Sequence, residues 1–374
     1  MKLNHIYKSI ACGVLLAMTA TSCDLDYNPV DTYSDVTEGV NKTDEKPIFN
    51  SVQDVETSMV TLHKKFRDQQ EHWYVDKLLI GDAHSDNAYA GTTGAEVVPY
   101  ETNSIEGSNS VLKRDWDRFL GDIAVANRII VGCDQLKALS ESERGKYQSQ
   151  AKIFRAMVMF DMVRLWGNFP VITTVGGDIT EDNVEEMYPT YFPPQNTAEE
   201  AYAQIEKDLT EAVENPNTPT NDTSDKSILT KSVARAMLAK VYAEKPLRDY
   251  AKVIKYADEL AADGFDLVED FSDLWAYDTE KKDCRVRNTK EAILEAHFPP
   301  GSGNWCTWMF GRNLSNWDES FTWAKWITPS RDLIRLYEEQ GDTKRYNESV
   351  VWYDCGWSNY YPADHYAFMY KCRS

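Results

Sequence analysis

A chain of 374 residues with 40 Lys and Arg against 60 Asp and Glu carries a formal net charge of −20. Phosphate backbones and anionic lipid surfaces are bound mainly by clustered cations, so this balance argues against a nucleic-acid partner and against a polybasic membrane dock. With 42% hydrophobic and 12% aromatic residues, the chain can build a large core and lacks the composition of a disordered one.

The N-terminus reads as an export signal over residues 1–22. Lys2 and Lys8 precede an apolar run of 12 residues from Ile10 to Thr21, too short to cross a bilayer. The small residues Ala20, Thr21 and Ser22 stand just before Cys23, the pattern of a bacterial lipoprotein signal in which Cys23 becomes the lipidated N-terminus. Ala20 stands where a larger aliphatic is usual, so plain cleavage after Ser22 is the alternative. Residues 23–47, with Pro29, Gly39, Pro47 and scattered acids, read as an extended tether. Residues 48–374 then form a single helical body. Its cysteines (Cys133, Cys284, Cys306, Cys355 and Cys372) are odd in number and form no CxxC pair, which favours free thiols over a disulfide framework. Cys284 with Cys306 is the one pairing considered.

Helical periodicity dominates this body. Val52, Val55, Met59, Leu62 and Phe66 place a helix at 51–72, and Leu112, Trp116, Phe119 and Ile123 place another at 111–131. Residues 147–166 are apolar on nearly every side, which predicts a helix enclosed by others and stopped by Gly167 and Pro170. Thr197 with Glu200 forms a capping box opening a helix at 198–213. Residues 231–244 and 249–262 form a helical hairpin, the second helix carrying Tyr250, Ile254, Ala257 and Leu260 on one side. Val171–Val175 and Ala292–Phe298 read as strands. Residues 265–328 are loop-rich and hold six of the eleven Trp (Trp275, Trp305, Trp308, Trp317, Trp323 and Trp326), a composition that suits a functional loop region. The fold class is therefore all-α: a tetratricopeptide-like helical-repeat scaffold with loop-rich binding insertions and a few short strands.

The run from Ser149 to Ile172 resembles the signature helix of the SusD/RagB family. Ala151, Arg155, Ala156, Phe160, Val163, Arg164, Leu165, Gly167 and Pro170 fall on its motif. Five further blocks resemble the family in order: Asp82 to Asn87, Trp116 to Asn127, Tyr202 to Ala212, Thr230 to Tyr242, and Thr328 to Ile334 followed by Gly341, Asp342 and Arg345. The resemblance implies a tetratricopeptide-like scaffold and a lipoprotein of the outer membrane, exposed at the cell surface. It implies work beside a SusC-like TonB-dependent transporter and capture of a glycan, or in some members a peptide, without catalysis. Asp24 and Asp26 resemble a surface-export signal of such lipoproteins. Family members usually carry further helices beyond the point where this chain stops, which implies a C-terminally shortened body.

Glycans are held by flat apolar faces edged with hydrogen-bonding groups. The mixture of Trp305, Trp308, Trp317 and Trp323 with Arg312, Asn313, Asn316, Asp318 and Glu319 supplies both. The family's ligand contacts come from an N-terminal loop and a variable region; the counterparts implied here are Asn87 and Tyr89, and Trp305 to Trp323. The plainer reading of any single Trp is a cap on a helix end. The six His are scattered, with no HExxH, GxSxG or phosphate loop, so no catalytic residue is expected. A carboxylate pair such as Asp318 and Glu319 keeps an α/α-barrel glycosidase as an alternative. The acidic run Asp178, Glu181, Asp182, Glu185 and Glu186 has the oxygen ligands of a Ca²⁺ site, though a solvated acidic loop explains it as well and no cofactor is expected.

Overall fold

Ser51 opens helix α1 (Val52–Asp68) with a capping box closed by Asp54, and the helix turns Val55, Met59, Leu62 and Phe66 inward as their spacing requires. The computed structural model describes residues 47–90, 96–179, 181, 183–278, 280–300, 305, 326–353 and 366–372. The signal segment, Cys23 and the tether lie outside them. Pro47–Ser374 is one compact unit.

After α1 the winding widens. Residues 71–83 form one helical stretch with π-helical turns at Glu71–Val75 and Leu79–Ala83 around Asp76–Leu78. The helix expected at 51–72 thus ends at Asp68, and a wider-wound stretch follows. Strand β1 (Ala88–Ala90) and the short helix α2 (Val98–Glu101) come next. Helices α3 (Ser110–Gln135) and α4 (Glu141–Trp166) are longer than the apolar periodicity suggested: α3 runs four residues further at its C-terminal end, and α4 begins with a polar turn under the Ser140 cap. Helix α5 (Val184–Tyr191) is short; α6 (Ala198–Glu214) starts at the Thr197–Glu200 capping box. Helices α7 (Lys231–Ala243) and α8 (Tyr250–Ala262) form the expected hairpin. The small hairpin β2 (Tyr277–Asp278) and β3 (Asp283–Cys284), strand β4 (Ile327–Pro329), helices α9 (Arg331–Gln340) and α10 (Thr343–Ser349), and strands β5 (Val350–Tyr353) and β6 (Tyr366–Met369) complete the described elements.

The long helices stack in the order α1, α3, α4, α6, α7, α8. Helix α4 lies at the centre: Ile153, Phe154, Val158, Met159 and Met162 are all fully buried, as an all-round apolar helix must be. Polar groups inside this stack are paired. The Arg155 guanidinium on α4 donates twice to Asp208 on α6, at 2.8 and 2.7 Å, and a third time to Asn127 Oδ1 on α3 at 2.7 Å. Asn127 in turn donates to the carbonyls of Ile172 and Thr174 at 2.9 and 3.2 Å.

That clamp corrects one strand expectation. Residues 171–175 are extended but pair with the Asn127 amide and with Asn196, whose Oδ1 accepts the Val171 N–H, rather than with a strand. Ala292–Phe298 is likewise no strand: its Glu295 N–H donates to the Lys226 carbonyl, an isolated contact that starts no ladder. The strands that form are shorter and remote in sequence. Strand β1 runs antiparallel to β4 with Tyr89 opposite Thr328, and β5 pairs antiparallel with β6. Around β1 and β4 a second apolar cluster gathers Val75, Leu79, Tyr100, Val111 and Ile327. Cys133 is a buried and Cys284 an exposed free thiol, so the Cys284–Cys306 bridge is not formed.

Candidate ligand-binding surface

The β1–β4 ladder brings two of the expected ligand residues onto one ledge. Alternation along β1 buries Ala88 and Ala90 and leaves Tyr89 half-buried on the other side. The Tyr89 hydroxyl accepts the Arg331 N–H at 3.1 Å, at the first turn of α9. The Asn87 carbonyl accepts the Ser330 N–H at 3.0 Å. Asn87 itself is exposed, and its side chain bonds the carboxyl of Asp82. Burial pushes that carboxyl above its ordinary range, against the opposing pull of Asn87 and the Lys371 charge. On the same rim His84 Nε2 lies 2.6 Å from Asn103 Oδ1. The ledge thus offers amide, hydroxyl, carboxyl and imidazole groups beside a ladder between two strands remote in sequence.

Trp305 lies elsewhere. Its N–H donates to Gln70 Oε1 at 2.8 Å, and the residue is 40% exposed. Gln70 precedes the 71–83 stretch and Asn87 follows it. No described contact joins Trp305 to the ledge directly; the two mark opposite ends of one helical segment. Trp308, Arg312, Asn313, Trp317 and Trp323 lie outside the described residues, as do Asp318 and Glu319. Trp275 follows the plainer reading, half-buried with its ring edge-on to Phe271 at 4.1 Å between centroids.

A cleft of about 320 Å³ lies close to Gln70 in sequence, between Met59, His63, Phe66 and Arg67 of α1 and the irregular segment Glu295, Ala296 and His297. Its floor is apolar and its rim polar. His63 Nε2 lies 3.1 Å from Gln150 Oε1, and burial pushes the pKa of His63 down. His297 Nε2 lies 3.1 Å from Glu295 Oε2. Sequence reading did not find this group, because His63 and His297 are more than two hundred residues apart and neither sits in a motif. Among the described residues no three His, Cys, Asp or Glu side chains come together as a metal site would require. Asp182 of the acidic run lies outside them.

A family model described as "Starch-binding associating with outer membrane", of the SusD-like type, matches residues 32–243. A SusD-like protein of Bacteroides ovatus is 25% identical over 309 residues, which are 79% of this chain and 50% of that relative, so the chain spans half the length of the curated relative it matches. Solved structures share the fold. A laminarin-binding SusD-like protein aligns with a TM-score of 0.62 at 18% identity, covering 87% of this chain and 73% of its own. Surface glycan-binding protein A from Bacteroides uniformis aligns at 0.64 with 17% identity over 87% and 69%. A SusD superfamily protein from Bacteroides vulgatus aligns at 0.66 with 16% identity over 87% and 68%.

Proposed function

This chain belongs to the SusD-like family, and from that premise we propose that it captures a glycan at the bacterial surface and delivers it, chemically unchanged, to a SusC-like TonB-dependent transporter. In this reading lipid on Cys23 holds the body at the outer membrane, and no helix among the described residues is long and apolar enough to cross it. The observation that carries the reading is the family match together with relatives named for glycan binding. The ligand lies along the face marked by Asn87 and Tyr89 at one end of the 71–83 stretch and Trp305 at the other. An exposed indole and a half-buried phenol edged by amides suit sugar rings, whose C–H faces lie on aromatics while hydroxyls reach polar neighbours.

Affinity electrophoresis of the protein through gels of laminarin, starch and other polysaccharides tests this. Retardation by at least one of them is expected. Tyr89→Ala and Trp305→Ala, with unchanged circular dichroism, are each expected to weaken it about tenfold, the effect of removing an aromatic anchor. Saturable binding of an extended peptide with no polysaccharide retardation would transfer the site to a peptide ligand. Release of reducing sugar would show catalysis.

A further inference from the structure

Of the twelve large hydrophobic side chains exposed among the described residues, five lie between Ile179 and Phe192. Helix α5 buries none of its residues. At its end the rings of Tyr188 and Phe192, one helical turn apart, stack with centroids 4.7 Å apart and planes inclined by 29°. They are 58% and 66% exposed, so each keeps an outer face open to water. The neighbouring Tyr191 ring ties this segment down. Tyr191 hydroxyl donates to the Gly177 carbonyl at 2.6 Å, and its ring fills the space that a side chain at Gly176 would need, within 3.0 Å of a Cβ there. Pro189 inside the helix and Pro193 and Pro194 after it restrict the backbone around the pair. Two rings stacked on each other over a proline-restricted backbone lose less freedom on binding than long flexible side chains do.

The surroundings narrow the occupant. Asp178, Glu181, Glu185 and Glu186, which precede the rings in the same segment, are exposed, and the sequence has no Lys or Arg between Arg164 and Lys207. Carboxylates only accept hydrogen bonds, and they repel anions. A uronic or sulfated glycan and a lipid headgroup are therefore disfavoured. A neutral polysaccharide fits: its pyranose rings stack on aromatic faces and its hydroxyls donate to carboxylates.

We propose that Tyr188 and Phe192 form a platform for neutral polysaccharide, a second contact surface distinct from that around Tyr89 and Trp305. It rests on the glycan-capture reading above. Two contacts along one long chain act together, so the platform raises retention of polymer without being needed for a short ligand.

The test compares the wild type with the Tyr188→Ala/Phe192→Ala double variant in gels of laminarin, starch and polygalacturonate, alongside tryptophan-fluorescence titration with short oligosaccharides from the retarding polymer. Neither side chain is buried, so the variant is expected to unfold at the wild-type temperature. Its retardation in the neutral polymer is expected to fall about tenfold while oligosaccharide binding is unchanged, and Tyr188→Phe is expected to behave as wild type. Equal retardation of variant and wild type overturns the platform and leaves the capture reading standing. Loss of oligosaccharide binding in the variant overturns it as a separate surface. Stronger retardation by polygalacturonate than by either neutral polymer, lost in the variant, overturns the assignment to neutral glycans. A wild type that no gel retards removes the capture reading and the platform together.

Discussion

Substituting Asp208 by Ala is expected to unfold this protein far more readily than its place on a scaffold helix suggests. Arg155 and Asp208 are 4% and 1% exposed, and the pair carries two parallel hydrogen bonds. Asn127 takes a third guanidinium proton, and Gln204 donates to Asp208 Oδ1 at 2.9 Å. Removing the carboxylate strands a guanidinium, which cannot lose its charge, inside three packed helices. Breaking one side of such a pair costs about 3–5 kcal/mol, a large share of a total stability of about 5–15 kcal/mol. The cost lies in the unpaired charge, so removing both partners is different. Arg155→Met with Asp208→Leu fills similar volume with apolar atoms and is expected to restore most of the loss. Urea unfolding followed by tryptophan fluorescence measures this, with the slope on denaturant unchanged so that midpoints report stability. A loss below about 1 kcal/mol for Asp208→Ala, or a double variant as unstable as the single one, would refute the reasoning.

Burial, and then the neighbouring Asp76, push the Asp115 carboxyl up to about 9. The folded state thus holds a proton that the unfolded chain gives up near pH 4, and stability is full below that value and declines as pH rises toward 9. Asp115→Asn stays neutral throughout, so its unfolding midpoint is expected to vary less than the wild type's between pH 5 and 9; parallel curves would contradict this. At Gly132 on α3 an added Cβ would collide with the buried ring of Phe49. Gly132→Ala is accordingly expected to lower stability by about 1–3 kcal/mol in the same urea assay, through displacement of Phe49 from the α1–α3 contact.

The scaffold was legible because its signals are local. Capping at Thr197 and Glu200, the enclosing apolarity of α4 and the α7–α8 hairpin each declare themselves within about twenty residues. Periodicity reports which residues share a face but not whether anything covers it. On α8 the stripe of Tyr250, Ile254 and Ala257 was read correctly as one face, yet all three are exposed and Tyr256 is the residue of that helix that is buried. The strand readings at 171–175 and 292–298 failed for a related reason. β-propensity marks chain that can be extended, and whether it joins a ladder depends on a partner; here the Asn127 amide and the Lys226 carbonyl took that place. The ladder that does position the ledge joins three residues at 88–90 to three at 327–329, too short and too distant to be read from either end.

That ladder also ties Tyr89 to the chain that follows the aromatic-rich region, far away in sequence. The chain leaves the described core at Trp305, fixed to Gln70, and re-enters it at Trp326, which packs with Ile327 on the second apolar cluster beside Ala90. The 71–83 stretch runs between these two anchors. The described ends of the aromatic-rich segment are thus held by Gln70 on one side and by the second apolar cluster on the other. Closing so long a loop costs only slightly more than closing a short one, because the entropy grows with the logarithm of length. The scaffold can therefore hold both ends of a long segment at small expense in stability. The contacts that fix these ends and the ledge are made by Gln70, Tyr89 and Ser330, three residues from separate stretches of the chain.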